Sequence, residues 1–148
     1  MLEIVYQDQY LVAINKPAGM LVHRSPQARD AKVFALQELR NQLGQYVYPV
    51  HRIDRKTSGI LLFALSPEVE STAKKMFQEK KMDKTYWAIV RGFSPEKGTI
   101  EKPLKKENGT IQEATTHYKK IKEVALEVPV AKYPQTRLSW LEVTPETG

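Results

Sequence analysis

The chain has 148 residues, with 23 Lys plus Arg against 17 Asp plus Glu, a formal net charge of +6 and a pI near 9.4. That length suits one domain with a small second lobe at most, and 41% hydrophobic with 27% charged residues is globular usage rather than disorder. Cysteine is absent, which excludes disulfides, thiolate nucleophiles, zinc ribbons and iron–sulfur sites. No apolar run approaches the ~20 residues of a membrane span. The start, MLEIVYQDQY, lacks the basic and apolar regions of a signal peptide, so a soluble, cytoplasmic protein is the expectation.

Leu2–Tyr6 and Tyr10–Asn15 are short β-rich runs separated by Gln-Asp-Gln and read as an opening hairpin. Lys16-Pro17-Ala18-Gly19 then makes a tight turn. Val33, Leu36, Leu39 and Leu43 recur at helical spacing, with Gly44 where a C-terminal cap belongs. Gly59–Leu65 is continuously apolar and short, which predicts a central strand buried on both faces. Ser66-Pro67-Glu68 starts a second helix, with a hydroxyl cap, proline in the first turn and an acid near the positive end. Val69, Ala73, Met76 and Phe77 give that helix one core-facing stripe as far as about Lys81.

Thr85–Val90 is another near-continuous apolar run, ended by Arg91-Gly92. Residues 94–112 are polar and read as a loop or irregular hairpin. Ala114–Ile121 and Arg137–Thr144 read as strands, the latter placing Leu138, Trp140, Leu141 and Val143 in a core and closing on Pro145. Connections between the first strands are too short for parallel crossovers. The fold class is therefore α+β, a mixed, largely antiparallel sheet with two packed helices, read as one domain over 1–148.

The positive charge is concentrated. Residues 16–56 hold eight basic side chains (Lys16, Arg24, Arg29, Lys32, Arg40, Arg52, Arg55, Lys56) against three acidic ones (Asp30, Glu38, Asp54). Such a surplus suits a polyanion partner, and equally a solvated basic face. Within it, His51-Arg52-Ile53-Asp54-Arg55-Lys56-Thr57-Ser58-Gly59 leads into the buried strand and reads as a functional loop on a rigid scaffold. The residues alone also allow Asp54 simply to close a turn. A metal is not indicated, because His51 and Asp54 offer two ligands while His23 and His117 lie far along the chain. Ser58 has no evident base, so a serine hydrolase is not supported.

HRIDRKTSGILLFA resembles the signature H-R-[LI]-D-x-x-T-S-G of the RNA pseudouridine synthases of the large-ribosomal-subunit/tRNA type. Three further stretches match in order: NKPAGMLVH (Asn15–His23), Lys84-Thr85-Tyr86 through Val90 to Gly92, and LEVTPETG (Leu141–Gly148). Tyr133-Pro134-Gln135-Thr136-Arg137 resembles most the branch that modifies tRNA in its acceptor stem; ribosomal RNA is the alternative substrate. The resemblance implies that Asp54 is the catalytic residue of a reaction that breaks the N1–C1′ bond of uridine, turns the base and rejoins it through C5. Nothing is oxidised or added, so no cofactor is implied.

Carboxylates are ionised near neutral pH, and Asp54 could attack C1′, stabilise an oxocarbenium-like centre or take the 2′ proton. The target uracil must first leave its stack. The resemblance implies Tyr86 beside the flipped base, where a core tyrosine is the plain alternative, and Arg52 reaching the RNA, with His51, Arg55 and Thr57 as further RNA-side residues. A glycosidase fits less well, since the motif supplies one carboxylate rather than two. The family's third motif continues past Thr-Gly with a basic residue and x-His-Gln-[IL]-Arg, so the resemblance implies a longer protein with further strands and a helix. An RNA-binding module without turnover is the alternative for the 148 residues alone.

Overall fold

In the computed structural model, residues 1–24, 33–105 and 108–147 are described. Arg29, Asp30 and Lys32 of the basic stretch, Lys106 and Glu107 of the polar segment, and Gly148 of the last motif lie outside them. The chain divides into two compact units, Met1–Lys81 and Met82–Gly148. Among the described residues no helix is long and apolar enough to cross a membrane.

The first unit opens with the expected hairpin, β1 (Glu3–Gln7) and β2 (Leu11–Lys16), paired antiparallel with an irregularity between Ile4 and Tyr6. Asp8 makes the reversal. Its Oδ1 accepts the N–H groups of Tyr10 and Leu11, each at 2.7 Å, and its Oδ2 accepts the Tyr6 hydroxyl at 2.8 Å. These bonds favour the ionised form and hold the Asp8 carboxyl below its ordinary value.

α1 (Ala35–Leu43) follows, then β3 (Tyr48–Pro49) and β4 (Gly59–Ala64). The sheet order is β1-β2-β4-β3, so β4 is central as expected. Val12 faces Phe63 and Ile14 faces Leu61 across the ladder, all fully buried with Leu39 of α1 in one cluster. Each such side chain contributes roughly 1.5–3 kcal/mol relative to exposure. The outer face of β4 is less covered than its apolar run suggests: Ile60 is 56% exposed.

α1 ends on Gly44 at φ 66, a left-handed cap whose N–H returns to Arg40 O at 3.0 Å. Its start differs from the periodic reading. Val33 is outside the helix and exposed, while Phe34 sits at the N-cap and is buried. The reason is a backbone cap. Ala35 and Leu36 donate their N–H groups to Leu21 O and Val22 O, so the 21–22 segment supplies the acceptors that a side chain would otherwise provide.

α2 (Pro67–Gln78) starts as the sequence predicts, with Ser66 Oγ accepting the Val69 N–H at 3.3 Å. No residue of α2 is fully buried, however, and Met76 is exposed. Its stripe is a half-covered face, not a core face.

The second unit is a sheet of order β5-β10-β9-β6, built from β5 (Tyr86–Arg91), β6 (Lys97–Glu101), β9 (Thr115–Leu126) and β10 (Thr136–Pro145), with a separate hairpin of β7 (Leu104–Lys105) and β8 (Ile111–Gln112). The polar segment 94–112 thus holds a strand, β6, as well as a short hairpin. Gly98 of β6 faces Tyr118 of β9, whose ring lies over the space where a Cβ would be.

β5 alternates in burial along its near-continuous apolar run. Tyr86, Ala88 and Val90 are half-buried, while Trp87 and Ile89 face outward and are more than two-thirds exposed. Leu141 and Ser139 of β10 are buried, but Trp140 lies on the outer face, edge-on to Trp87 with ring centroids 5.3 Å apart. Among the described residues all the strand ladders are antiparallel. The one parallel contact among the described residues is the isolated bridge between Leu21 and Phe34.

Candidate active site

The Asp54 loop connects β3 to β4 and is fixed at both ends. After Pro49 the ladder has one last backbone bond, Val50 N–H to Leu62 O at 3.1 Å. The next donor, Leu62 N–H, is taken by the ring of His51, whose Nε2 accepts it at 3.1 Å. A ring nitrogen that accepts is unprotonated, so the neutral ring carries its proton on Nδ1. The same ring stacks on Phe77 of α2, with centroids 4.9 Å apart and 22° between planes. His51, a residue the motif resemblance placed on the RNA side, is here an internal anchor that continues the strand with a side chain.

Past His51, Arg52 and Asp54 are exposed. Thr57 N–H closes a turn on Asp54 O at 3.1 Å, and Gly59 enters β4 at φ 119, a left-handed-side conformation that glycine adopts without strain. Among the described residues the Asp54 carboxylate accepts no side-chain hydrogen bond and has no ion-pair partner within contact. It is open.

A second clamp holds the loop from the other side. Gly19 N–H donates to Arg55 O at 2.7 Å, and Arg55 Nε returns a bond to Gly19 O at 3.0 Å. Lys16 completes it. The strand period puts Lys16 on the face of Val12 and Ile14, and the residue is fully buried. Its ammonium donates to Pro17 O at 3.0 Å, Met20 O at 2.8 Å and Arg55 O at 3.3 Å. Burial pushes this ammonium below the ordinary lysine range, and the charge of Asp54 pulls it partly back. The Lys16–Gly19 turn and the Asp54 loop, 35 residues apart in sequence, are therefore one structural unit, built around a buried cation that senses the carboxylate.

Lys16 was not singled out by sequence reasoning as a site residue. The signal was present: alternation along β2 makes position 16 an inward one, and a lysine at an inward position needs polar partners.

The basic surplus is partly used internally. Lys16 is enclosed by carbonyls, Arg55 binds Gly19, and Arg40 lies over the Tyr46 ring at 4.2 Å. Among the described residues of that stretch Arg24, Arg52 and Lys56 are exposed, as are Arg40 and Arg55 outside the contacts just named. Thr57 is half-buried beside the turn it closes. Tyr86 belongs to the second unit, half-buried at the start of β5 and opposite Val143 of β10. His23 is exposed, and His117 is engaged by Thr99 at 2.8 Å and Glu146 at 2.5 Å. Among the described residues no group of His, Cys, Asp and Glu could hold a metal ion.

The sequence pattern of the RNA pseudouridylate synthase family matches residues 10–148, a span containing all four motif stretches and the clamped loop. The chain belongs to that family. Among curated relatives it is 50% identical to tRNA pseudouridine synthase C of Vibrio parahaemolyticus, a match covering 99% of this chain and 64% of the relative. It is 49% identical to the protein of that name in Pasteurella multocida, covering 99% and 65%. The chain thus spans about 65% of the length of these relatives.

Two solved human structures share the fold. RNA pseudouridylate synthase domain containing 1 aligns with a TM-score of 0.77 at 20% identity, over 100% of this chain and 60% of that one. RNA pseudouridylate synthase domain containing 4 aligns with 0.73 at 21%, over 99% and 59%. The α+β, antiparallel architecture is that of the pseudouridine synthases.

Proposed function

We propose that this protein is an RNA pseudouridine synthase that isomerises uridine in tRNA, with Asp54 as its essential residue and the two units as parts of one catalytic domain. The observation that carries the reading is the Asp54 carboxylate, held open on a turn clamped by His51 on one side and by Lys16, Gly19 and Arg55 on the other. A positioned, exposed carboxylate, without an ion-pair partner among the described residues, is what each route to glycosidic cleavage requires, whether it attacks C1′, supports a cationic sugar or removes the 2′ proton. The relatives named tRNA pseudouridine synthase C support tRNA over ribosomal RNA as the substrate.

The reaction balances without a cofactor. The N1–C1′ bond breaks, C5–C1′ forms, C5 loses its proton and N1 gains one. Lys16 and His51 hold the loop that carries Asp54. Arg52, exposed two residues before Asp54, contacts the RNA beside the extruded uridine. Tyr86 offers the base an aromatic face. Such an enzyme works in the cytoplasm, where its tRNA substrate is found.

The test is incubation of the protein with unmodified tRNA and with ribosomal RNA transcripts, followed by mapping of pseudouridine at nucleotide resolution. Pseudouridine in the tRNA acceptor stem supports the reading. Retention of RNA without any product would replace it by a binding function.

A further inference from the structure

The connection between β9 and β10, residues 127–135, is built rather than left open. Thr136 Oγ1 donates to Val128 O at 2.7 Å, and Gln135 Nε2 donates to Glu127 Oε1 at 2.7 Å. Val130 and Tyr133 exchange both backbone bonds, each 3.0 Å, around a tight reversal. Ala131 inside it takes φ 49, a left-handed conformation that a non-glycine residue keeps only where its surroundings impose it.

Against this loop lie the end of β5 and the start of β10, joined by Gly92 N–H to Arg137 O at 2.8 Å. Together they form a cavity of about 590 Å³ lined by Arg91, Gly92, Val130, Tyr133, Gln135 and Arg137 among others. That volume falls within the range of small-ligand sites. Two arginines line it and no carboxylate does. Among the described residues neither Arg91 nor Arg137 has an ion-pair partner. The Arg137 guanidinium rests over the Phe93 ring at 5.3 Å, which limits its freedom without neutralising it. Tyr133 is more than half exposed on the fixed reversal.

A planar guanidinium matches phosphate oxygens in pairs, and an exposed tyrosine on a fixed backbone reversal, with the Lys132 ammonium 5.6 Å from its ring centre, suits stacking on a nucleobase beside a phosphate. We propose that this cavity is a second RNA-contact site, taking a backbone phosphate on Arg91 and Arg137 and an adjacent base on Tyr133. It rests on the RNA reading above and adds a contact outside the target nucleotide, in the second unit.

The test is equilibrium retention of a tRNA transcript by the protein from about 50 to about 200 mM salt, where phosphate contacts set the slope of log affinity against log salt. Arg91→Gln and Arg137→Gln are compared with Lys75→Gln, which removes one exposed charge from α2. Each arginine variant is expected to bind roughly tenfold more weakly at about 100 mM salt, with a slope smaller by about one. Tyr133→Ala is expected to weaken binding several-fold and leave the slope unchanged, since stacking releases no counterion. All the variants should melt with the wild type, because these side chains are exposed. Arginine variants that match Lys75→Gln in affinity and slope overturn the site while leaving the RNA reading intact. A wild-type protein that retains no RNA overturns both.

Discussion

Replacing Lys16 by methionine keeps the length and apolar stem of the side chain and removes only its ammonium head, so packing around β2 changes little. The loss falls on three carbonyls. Arg55 O keeps the Gly19 N–H at 2.7 Å, but among the described residues Pro17 O and Met20 O have no other donor. Pro17 is exposed and its carbonyl can turn to water, so the loss falls mainly on Met20 O in a half-buried residue. An acceptor left without a partner costs about 1–3 kcal/mol, and relief of the lysine's own desolvation offsets part of it. The expected destabilisation is therefore about 1–2 kcal/mol, read as a lower urea midpoint at unchanged slope.

The pH dependence has a definite sign. The folded state holds the Lys16 proton less tightly than the unfolded chain, whose lysine titrates near 10.5. Between those two values the unfolded state binds more protons, so stability rises with pH in that window. Lys16→Met lacks this rise, and the gap between the two proteins widens as pH approaches 10.5. Because Asp54 supports the charged form, Asp54→Asn lowers the Lys16 titration further, visible in the shifts of its ε-CH₂ by NMR. A Lys16→Met protein as stable as wild type, with the Asp54 loop equally protected from hydrogen exchange, would refute the clamp.

Ser139 is fully buried, donates to Gly92 O at 2.9 Å and accepts the Ser94 N–H at 3.0 Å; Ser139→Ala should cost about 1–3 kcal/mol in denaturant unfolding. Gly98→Ala would place a Cβ 2.6 Å from the Tyr118 hydroxyl, so it should destabilise by about 1–3 kcal/mol, and much of that loss should vanish in a Tyr118→Ala background, where a double-mutant cycle reads the coupling. Asp8 is held below its ordinary 3.8 by the Tyr10 and Leu11 N–H groups and the Tyr6 hydroxyl. Its contribution is present above that value and is lost as pH falls through the lower folded one, so acid melting curves should flatten in Asp8→Ala.

Local grammar made much of the fold legible. Ser66-Pro67 starts α2 and Gly44 ends α1, because caps are decided within a few residues. The opening hairpin follows from two short β-rich runs, though the residue that makes its turn, Asp8, acts through contacts that periodicity does not show. What escaped depends on partners distant in the chain. Phe34 takes the place of Val33 because residues 21–22 cap α1 from outside. Trp87, Ile89 and Trp140 face outward although their strand segments are rich in apolar residues, since composition does not say which face of a sheet is covered.

At the candidate site, the motif puts forward Asp54 and Arg52, and both are exposed on the loop before β4. The division of labour around them rests on contacts between segments distant in the chain. His51 completes the β4 ladder with its ring, and Lys16 joins two loops through carbonyls that no side-chain pattern reveals.

The most direct measurement is tritium release from tRNA labelled at C5 of uridine, since that hydrogen leaves only when the C5–C1′ bond forms. Wild type and Asp54→Asn are compared on the same RNA, with binding measured in parallel. Asp54→Asn is isosteric and should leave the clamp in place, so the expected result is RNA affinity at or above that of wild type and tritium release at background. Release by Asp54→Asn at a rate near that of wild type would contradict the assignment of Asp54 as the essential residue.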